Sequence, residues 1–599
     1  MSTVINEPPV DVVVLGLGPL GGAVAAELST SKFKVAGIEK GPYYMFDEDF
    51  GPVKYDEWGI LVMRKFDHPL PLSTFTMRQN GSQFALPVRR YDPTDQIISM
   101  GHAVGGMAQH YAGSMGRYGP WAYEMASQTS SKYGADFISS IEPHQDVEDW
   151  PLQYSDYEPY YQSWEQSWAV TGTNEGPLLP MNGNYPLPPH PTTAVGNAFK
   201  TAAEGLGYNP YPQPTALASQ PYTNQYGVAV NACIYDGWCG AGCNYVCETG
   251  AKANAAYRTV PAAIASGNFT LAVNSYAFRL DTNSSGLITD VRYYDAQGNV
   301  HVQPGKVFFD GLWGFNIIRS MLLSDIGTPY KPSTVTGSLG RGVTEANVTG
   351  PFELGTINIG ANAYPAGNAA GGAYNIRELA DDNFDHTGLN FIGGLGFLGV
   401  GTYAGSGPGF AENYYGAASP SNIGSTYKAS WKNFYLKTSQ EVSFFNYTNQ
   451  LPTTNFYSDL DPVYNDVYGD PLARVTLDYG INEVNTANYM VPRTQTILQK
   501  MGCTNIIGTP AVKVGTVHVD AFQAHTRGGA RIGTSSSSSV FNQWQQCWTC
   551  DNLFAGGEIC NTTGNNMTAG THGAGYQSYV AADGIKKYLQ SGGQLATSA

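Results

Sequence analysis

Charge is what this chain has least of. Asp, Glu, Lys and Arg together make up 13% of its 599 residues, about half the usual share. The charges present are unbalanced, 32 basic against 48 acidic, for a net −16. An acidic chain repels phosphate backbones, and no basic stripe with interleaved aromatics runs through it, which excludes nucleic acid as a partner. Long apolar runs are also missing. No stretch of about 18 apolar residues occurs, so the chain reads as soluble, without a membrane span of its own. Met1–Pro9 lacks the basic-then-apolar layout of a secretory leader, and no repeat of solenoid length is present.

Glycine and tyrosine are abundant instead, at 71 and 40 residues. Loops rich in Asn, Thr and Ser give a polar but uncharged surface that suits a periplasmic or exported protein, with the cytoplasm as the alternative. Aromatic-lined clefts suit carbohydrate, whose rings lie flat on aromatic faces. The length calls for at least two domains.

Residues 11–41 read DVVVLGLGPLGGAVAAELSTSKFKVAGIEKG. Val12–Leu15 has the run of a buried parallel strand, and Gly21–Leu28 has helical character. Between them Gly16, Gly18 and Gly21 stand in GxGxxG spacing. Gly16 permits a tight turn, Gly18 lets the backbone approach a pyrophosphate, and Gly21 allows close helix–strand packing. The free N–H groups of the helix N-terminus then face the phosphates. A second strand, Lys34–Ile38, ends at Glu39, an acid placed to accept hydrogen bonds from a ribose. Strand, glycines, helix, strand and acid in that order predict a dinucleotide site. Its position at the start of a long chain favours FAD over NAD.

Further segments carry a family resemblance. They are GHAVGGMAQHYAGSMGRY (101–118), DWPLQYSDYEPYY (149–161), AHTRGGARIG (524–533) and DNLFAGG (551–557). Together they resemble the glucose–methanol–choline (GMC) oxidoreductases, above all the catalytic subunits of bacterial fructose, gluconate and glucose dehydrogenases, and pyranose 2-oxidase. The matching pieces span the chain, and 350–460 matches least. The resemblance implies an α/β (α+β) fold, with a Rossmann-like FAD-binding domain and a substrate domain built on an antiparallel sheet. It places Gly105 and Gly106 beside the flavin ring and Gly556 and Gly557 at its pyrophosphate-side turn. It makes His525 the catalytic base. Oxidising a carbinol requires removal of the hydroxyl proton while hydride leaves carbon, and a neutral imidazole has the pKa for that task. A second polar group must hold the hydroxyl in line. Asn566 best matches the family's asparagine, although Met567 stands where proline is usual and the spacing to the last helix is long. That offset makes His572 its rival. His110 has the spacing at which pyranose oxidase and choline oxidase join a histidine to the flavin, so the resemblance leaves covalent attachment open.

Eight cysteines form two clusters plus Cys503. Cys233, Cys239, Cys243 and Cys247 read CIYDGWCGAGCNYVC, and two readings stand side by side. Thiolates gathered in a tight loop ligate iron–sulfur clusters, and the resembling dehydrogenases carry one here, though their adjacent Cys-Cys pair is absent. Disulfides are the structural alternative. Cys547, Cys550 and Cys560 flank the DNLFAGG turn. Asp310 and Trp313, in VFFDGLWGFNIIRSMLLS (307–324), are bulky where the family is small, which implies unusual packing near the adenine.

The expected organisation is an interrupted FAD-binding domain at 1–135, 226–334 and 506–599, with the substrate domain at 136–225 and 335–505. VSFFNYTN (442–449) reads as antiparallel strand. The implied reaction is oxidation of a sugar, glycoside or polyol alcohol. Electrons then pass to a cytochrome or quinone, with a small helper subunit that also carries the chain outward, or to oxygen with release of peroxide.

Overall fold

The computed structural model describes residues 3–45, 49, 75–83, 85–88, 102–109, 111, 113–174, 178–235, 247, 249–345, 353–356, 371–380, 383–402, 441–508, 513–515, 526–563 and 571–597. The strand Val300–Asp310 is the spine of an eight-stranded mixed sheet. Its first half pairs antiparallel with Ile288–Tyr294 and parallel with Val4–Asn6. Its second half pairs parallel with Val10–Leu15 on one side and Leu553–Ala555 on the other. Val35–Ile38 and Phe269–Ala272 continue the parallel portion outward. Runs such as VVVL at 12–15 are apolar on both faces because both faces are covered. The helix Pro19–Thr30 covers one face, packed against Val260–Ala265 and the C-terminal helix Gln577–Ser591. Gly22 makes that packing close: a Cβ there would stand 2.7 Å from the Cβ of Ala255.

A six-stranded sheet has the order Thr526–Gly529, Arg341–Glu345, Tyr457–Asn465, Pro471–Thr476, Phe75–Arg78, Leu86–Val88. A four-stranded antiparallel sheet joins Leu395–Thr402, Glu441–Thr448, Glu353–Thr356 and Thr504–Gly508. The antiparallel strand expected at 442–449 is found at Glu441–Thr448. The fold class is therefore α+β as expected, a Rossmann-like sheet layered with helices beside a six-stranded mixed sheet, in which Pro471–Thr476 runs parallel to Phe75–Arg78, and a four-stranded antiparallel one.

The motif DWPLQYSDYEPYY turns out to be a fastening. The helix Tyr154–Trp168 opens with a capping box between Gln153 and Asp156. It buries Tyr154, Tyr157, Tyr161, Trp164 and Trp168. Its acids Glu158 and Glu165, two turns apart, both accept from buried Arg117 at 2.8 and 2.7 Å, so each buried charge is paired. Tyr157 and Tyr161 pack on Tyr576, with ring centroids at 5.2 and 4.3 Å. Trp150 donates its indole N–H to the Thr563 hydroxyl at 3.0 Å. The motif thus holds Thr563 and Tyr576, two residues 13 positions apart near the C-terminus.

Candidate flavin site and active site

The glycine turn has the geometry its spacing calls for. Gly16 has φ +76°, in the left-handed region that glycine enters freely. Its N–H donates to Ile38 O at 2.9 Å. A Cβ on Gly21 would lie 1.9 Å from Gly16 O. Gly18 differs, because a Cβ there would meet nothing within 4 Å. Gly18 also caps the helix Pro19–Thr30, which has no side-chain cap and no acid in its first turn. An open glycine before uncapped helix N–H groups is a cradle for an anionic group.

Glu39 stands beside that cradle. Its Oε2 accepts from Leu17 N at 2.8 Å and its Oε1 from Gly41 N at 2.9 Å. Burial pushes its pKa up to about 7 against the pull of those two bonds. Each oxygen keeps further lone-pair capacity for a donor such as a ribose hydroxyl.

The second glycine loop closes onto the first. Gly105 N donates to Leu17 O at 2.7 Å, and a Cβ on Gly106 would come 3.2 Å from Gly18 Cα. Behind it, the Asn254 side chain sits so close to Gly105 that a Cβ would lie 1.8 Å from Asn254 Oδ1.

The third loop follows Leu553–Ala555. A Cβ on Gly557 would also meet open space. Gly557 N donates to Gln577 Oε1 at 3.0 Å, Gln577 Nε2 to Asn561 Oδ1 at 2.7 Å, and Asn561 Nδ2 to Tyr118 OH at 3.1 Å. This buried chain, invisible in the sequence, fixes the turn to the C-terminal helix. Gly16, Gly18, Gly21, Glu39, Gly105 and Gly106 are thus gathered at the C-terminal ends of the parallel strands, and the donor set fits a dinucleotide: N–H groups for a pyrophosphate and a carboxylate for a ribose.

His525, Asn566 and His110 lie outside the described residues. His572 falls in the short helix Thr571–Ala574, with its side chain outside them. The strand that starts immediately after His525 is the edge of the six-stranded sheet, with Thr526 opposite Glu345. Just beyond it, Ala530 N and Ile532 N donate to the carbonyls of Ile559 and Cys560. The seam between the six-stranded sheet and the segment after Gly557 thus runs through Arg527, Ala530 and Ile532, within seven residues of His525 in the sequence. Arg527, fully buried, pairs with Glu558 across it at 3.1 Å, and the buried Thr526 hydroxyl has no hydrogen-bond partner among the described residues.

Asp310 is engaged by its own neighbours. It accepts from the Ser320 hydroxyl and from Leu312 N, and burial pushes its pKa up to about 6. Trp313 packs with Phe75 and Phe315. Cys247, Cys503, Cys547, Cys550 and Cys560 are free thiols, Cys233 is half-buried, and Cys239 and Cys243 lie outside the described residues. No group of three metal-ligating side chains occurs among the described residues. Among them, too, no helix is long and apolar enough to cross a membrane.

This fold and these loops define a protein built to bind a dinucleotide cofactor. No protein-family model matches the chain. It is 30% identical to the gluconate 2-dehydrogenase flavoprotein of Pantoea cypripedii, over 99% of this chain and 96% of that one. It is 23% identical to the fructose dehydrogenase large subunit of Gluconobacter japonicus, over 97% and 98%. A formate oxidase variant from Aspergillus oryzae shares the fold, with a TM-score of 0.58 at 11% identity over 98% and 99% of the two chains. The chain belongs to the GMC oxidoreductase family. It is an FAD-dependent enzyme that oxidises CH–OH groups.

Proposed function

We propose that the chain oxidises a sugar, glycoside or polyol alcohol to the carbonyl and passes the electrons to an acceptor other than oxygen. The observation that carries this reading is the likeness, across nearly the whole chain, to two proteins named as sugar-acid and sugar dehydrogenases. FAD, when bound, accepts the hydride. The loops at Gly16–Gly21 and Gly556–Gly557 hold its pyrophosphate, Glu39 its adenosine ribose, and Gly105–Gly106 its ring. His525 takes the hydroxyl proton, and Asn566, with His572 as the alternative, keeps the hydroxyl in line. His110 is the residue through which the flavin would be joined covalently. Cys233, Cys239, Cys243 and Cys247 would hold an iron–sulfur cluster that relays electrons onward to a cytochrome or quinone. In an exported complex a small helper subunit would accompany the chain, in line with a relative named as a large subunit.

The test is a panel of sugars and polyols assayed in parallel by dye reduction and by peroxide release. Turnover with the dye and little peroxide is expected. Peroxide formed at the same rate as carbonyl would establish oxygen as the acceptor instead. His525→Ala should keep FAD and lose turnover by about 100-fold or more, and unchanged turnover would remove His525 from the mechanism.

A further inference from the structure

The segment Lys252–Tyr257 grips the second glycine loop at four points. Asn254 lies against Gly105. Tyr257 OH donates to Gln109 Oε1 at 3.3 Å, and Gln109 Nε2 donates onward to Val104 O at 2.8 Å. Tyr111 OH donates to Ala253 O at 2.8 Å. Lys252 is the fourth. Its ammonium donates to Tyr111 O at 2.8 Å and to Gln109 O at 3.4 Å, the two carbonyls flanking His110. The same ammonium lies 5.2 Å from the Tyr111 ring centroid. Its stem passes Gly113, where a Cβ would be 3.7 Å away. Lysine is 2% exposed here.

Burying an ammonium is costly, and a neutral side chain could brace a loop without that cost. A fixed positive charge has a different use: it stabilises negative charge that develops nearby, and does so strongly where water is excluded. A flavin that takes up a hydride gains electron density, and nearby charge is one of the ways a protein tunes a cofactor's electronics. The backbone N–H of Lys252 donates to Cys247 Sγ at 3.4 Å.

We propose that Lys252 is a positioning residue that holds the backbone on both sides of His110 and, by its charge, raises the reduction potential of the flavin carried by this loop. This rests on the reading of residues 105–110 as a flavin contact. The measurement is the flavin midpoint potential of the holoenzyme by equilibration with a reference dye, with FAD stoichiometry read alongside. Lys252→Met keeps the stem and removes the charge. It should bind FAD and shift the potential to a more negative value. Lys252→Arg keeps the charge and should hold the potential near that of the natural protein, which also tests the idea if the methionine variant does not fold. A methionine variant with full FAD and an unshifted potential would overturn the proposal, as would an arginine variant with a potential as negative as methionine's. Gly106→Ala separates the two readings. If it changes neither flavin spectrum nor potential, the loop is not at the flavin. If it shifts them while Lys252→Met does not, only the role of Lys252 fails.

Discussion

Leu17 donates its backbone N–H to Glu39 across 22 residues of chain, at 2.8 Å. One bond thereby fixes the glycine turn to the end of the second parallel strand. Because Gly41 N holds the other carboxylate oxygen, Glu39 shapes its own surroundings before any ribose reaches it.

Glu39→Gln therefore affects more than a ligand contact. A glutamine offers one oxygen to two backbone donors, and its NH2 group faces one of them. A buried donor left without an acceptor costs about 1–3 kcal/mol. FAD affinity should fall at least tenfold in titrations of the apoprotein, and the urea midpoint should fall with it. Natural affinity in the glutamine variant would show that Glu39 only braces the turn.

The same burial sets a pH dependence. Glu39 and Glu483 are pushed from 4.5 to about 7, and Asp310 and Asp478 from 3.8 to about 6. The native state then keeps protons that the unfolded chain releases, so these groups favour folding below about pH 4 and lose that effect as pH rises toward 7. Hydrogen bonds from a ribose to Glu39 favour its ionised form, so FAD should bind more tightly as pH rises from 5 to 8. Urea midpoints of apoprotein and holoenzyme across that range should diverge. An apoprotein that gains stability steadily from pH 5 to 7 would contradict the expectation.

The first loop was legible in the sequence because all its parts lie within thirty residues and each has a local reason: a turn, a close approach, an acid at a strand end. The catalytic segments were legible only through family resemblance, since nothing about a histidine before TRGG announces a base. What the sequence hid is long-range. Trp150 meets Thr563, Gln577 meets Gly557, and Lys252 meets Tyr111 only after folding. The bulk of Asp310 and Trp313 was legible, but not that Ser320 and two phenylalanines would take it up.

Gly18 and Gly21 should separate when each is replaced by alanine. At Gly21 the methyl would overlap the Gly16 carbonyl at 1.9 Å, and backbone must move. At Gly18 it would enter open space. Gly18→Ala should fold as the natural protein does, shown by an unchanged apoprotein melting curve, and lose FAD affinity. Gly21→Ala should lower the apoprotein melting temperature itself. Equal FAD binding by Gly18→Ala and the natural protein would mean that no cofactor occupies that opening.

Gln577 is the middle of the buried chain from Gly557 to Tyr118, and it both accepts and donates. Gln577→Leu is close in size but leaves the Gly557 N–H and the Asn561 carbonyl oxygen without partners, at about 1–3 kcal/mol each. Gln577→Glu keeps the acceptor facing Gly557 and sets a carboxylate oxygen against Asn561 Oδ1, which disturbs only the second bond. If the chain serves to shape the Gly557 turn for the cofactor, the leucine variant should lose FAD on gel filtration. The glutamate variant should retain more, because the bond at Gly557 survives. If it serves the C-terminal helix alone, both variants should lose thermal stability and bind FAD as tightly as the natural protein at temperatures where they remain folded.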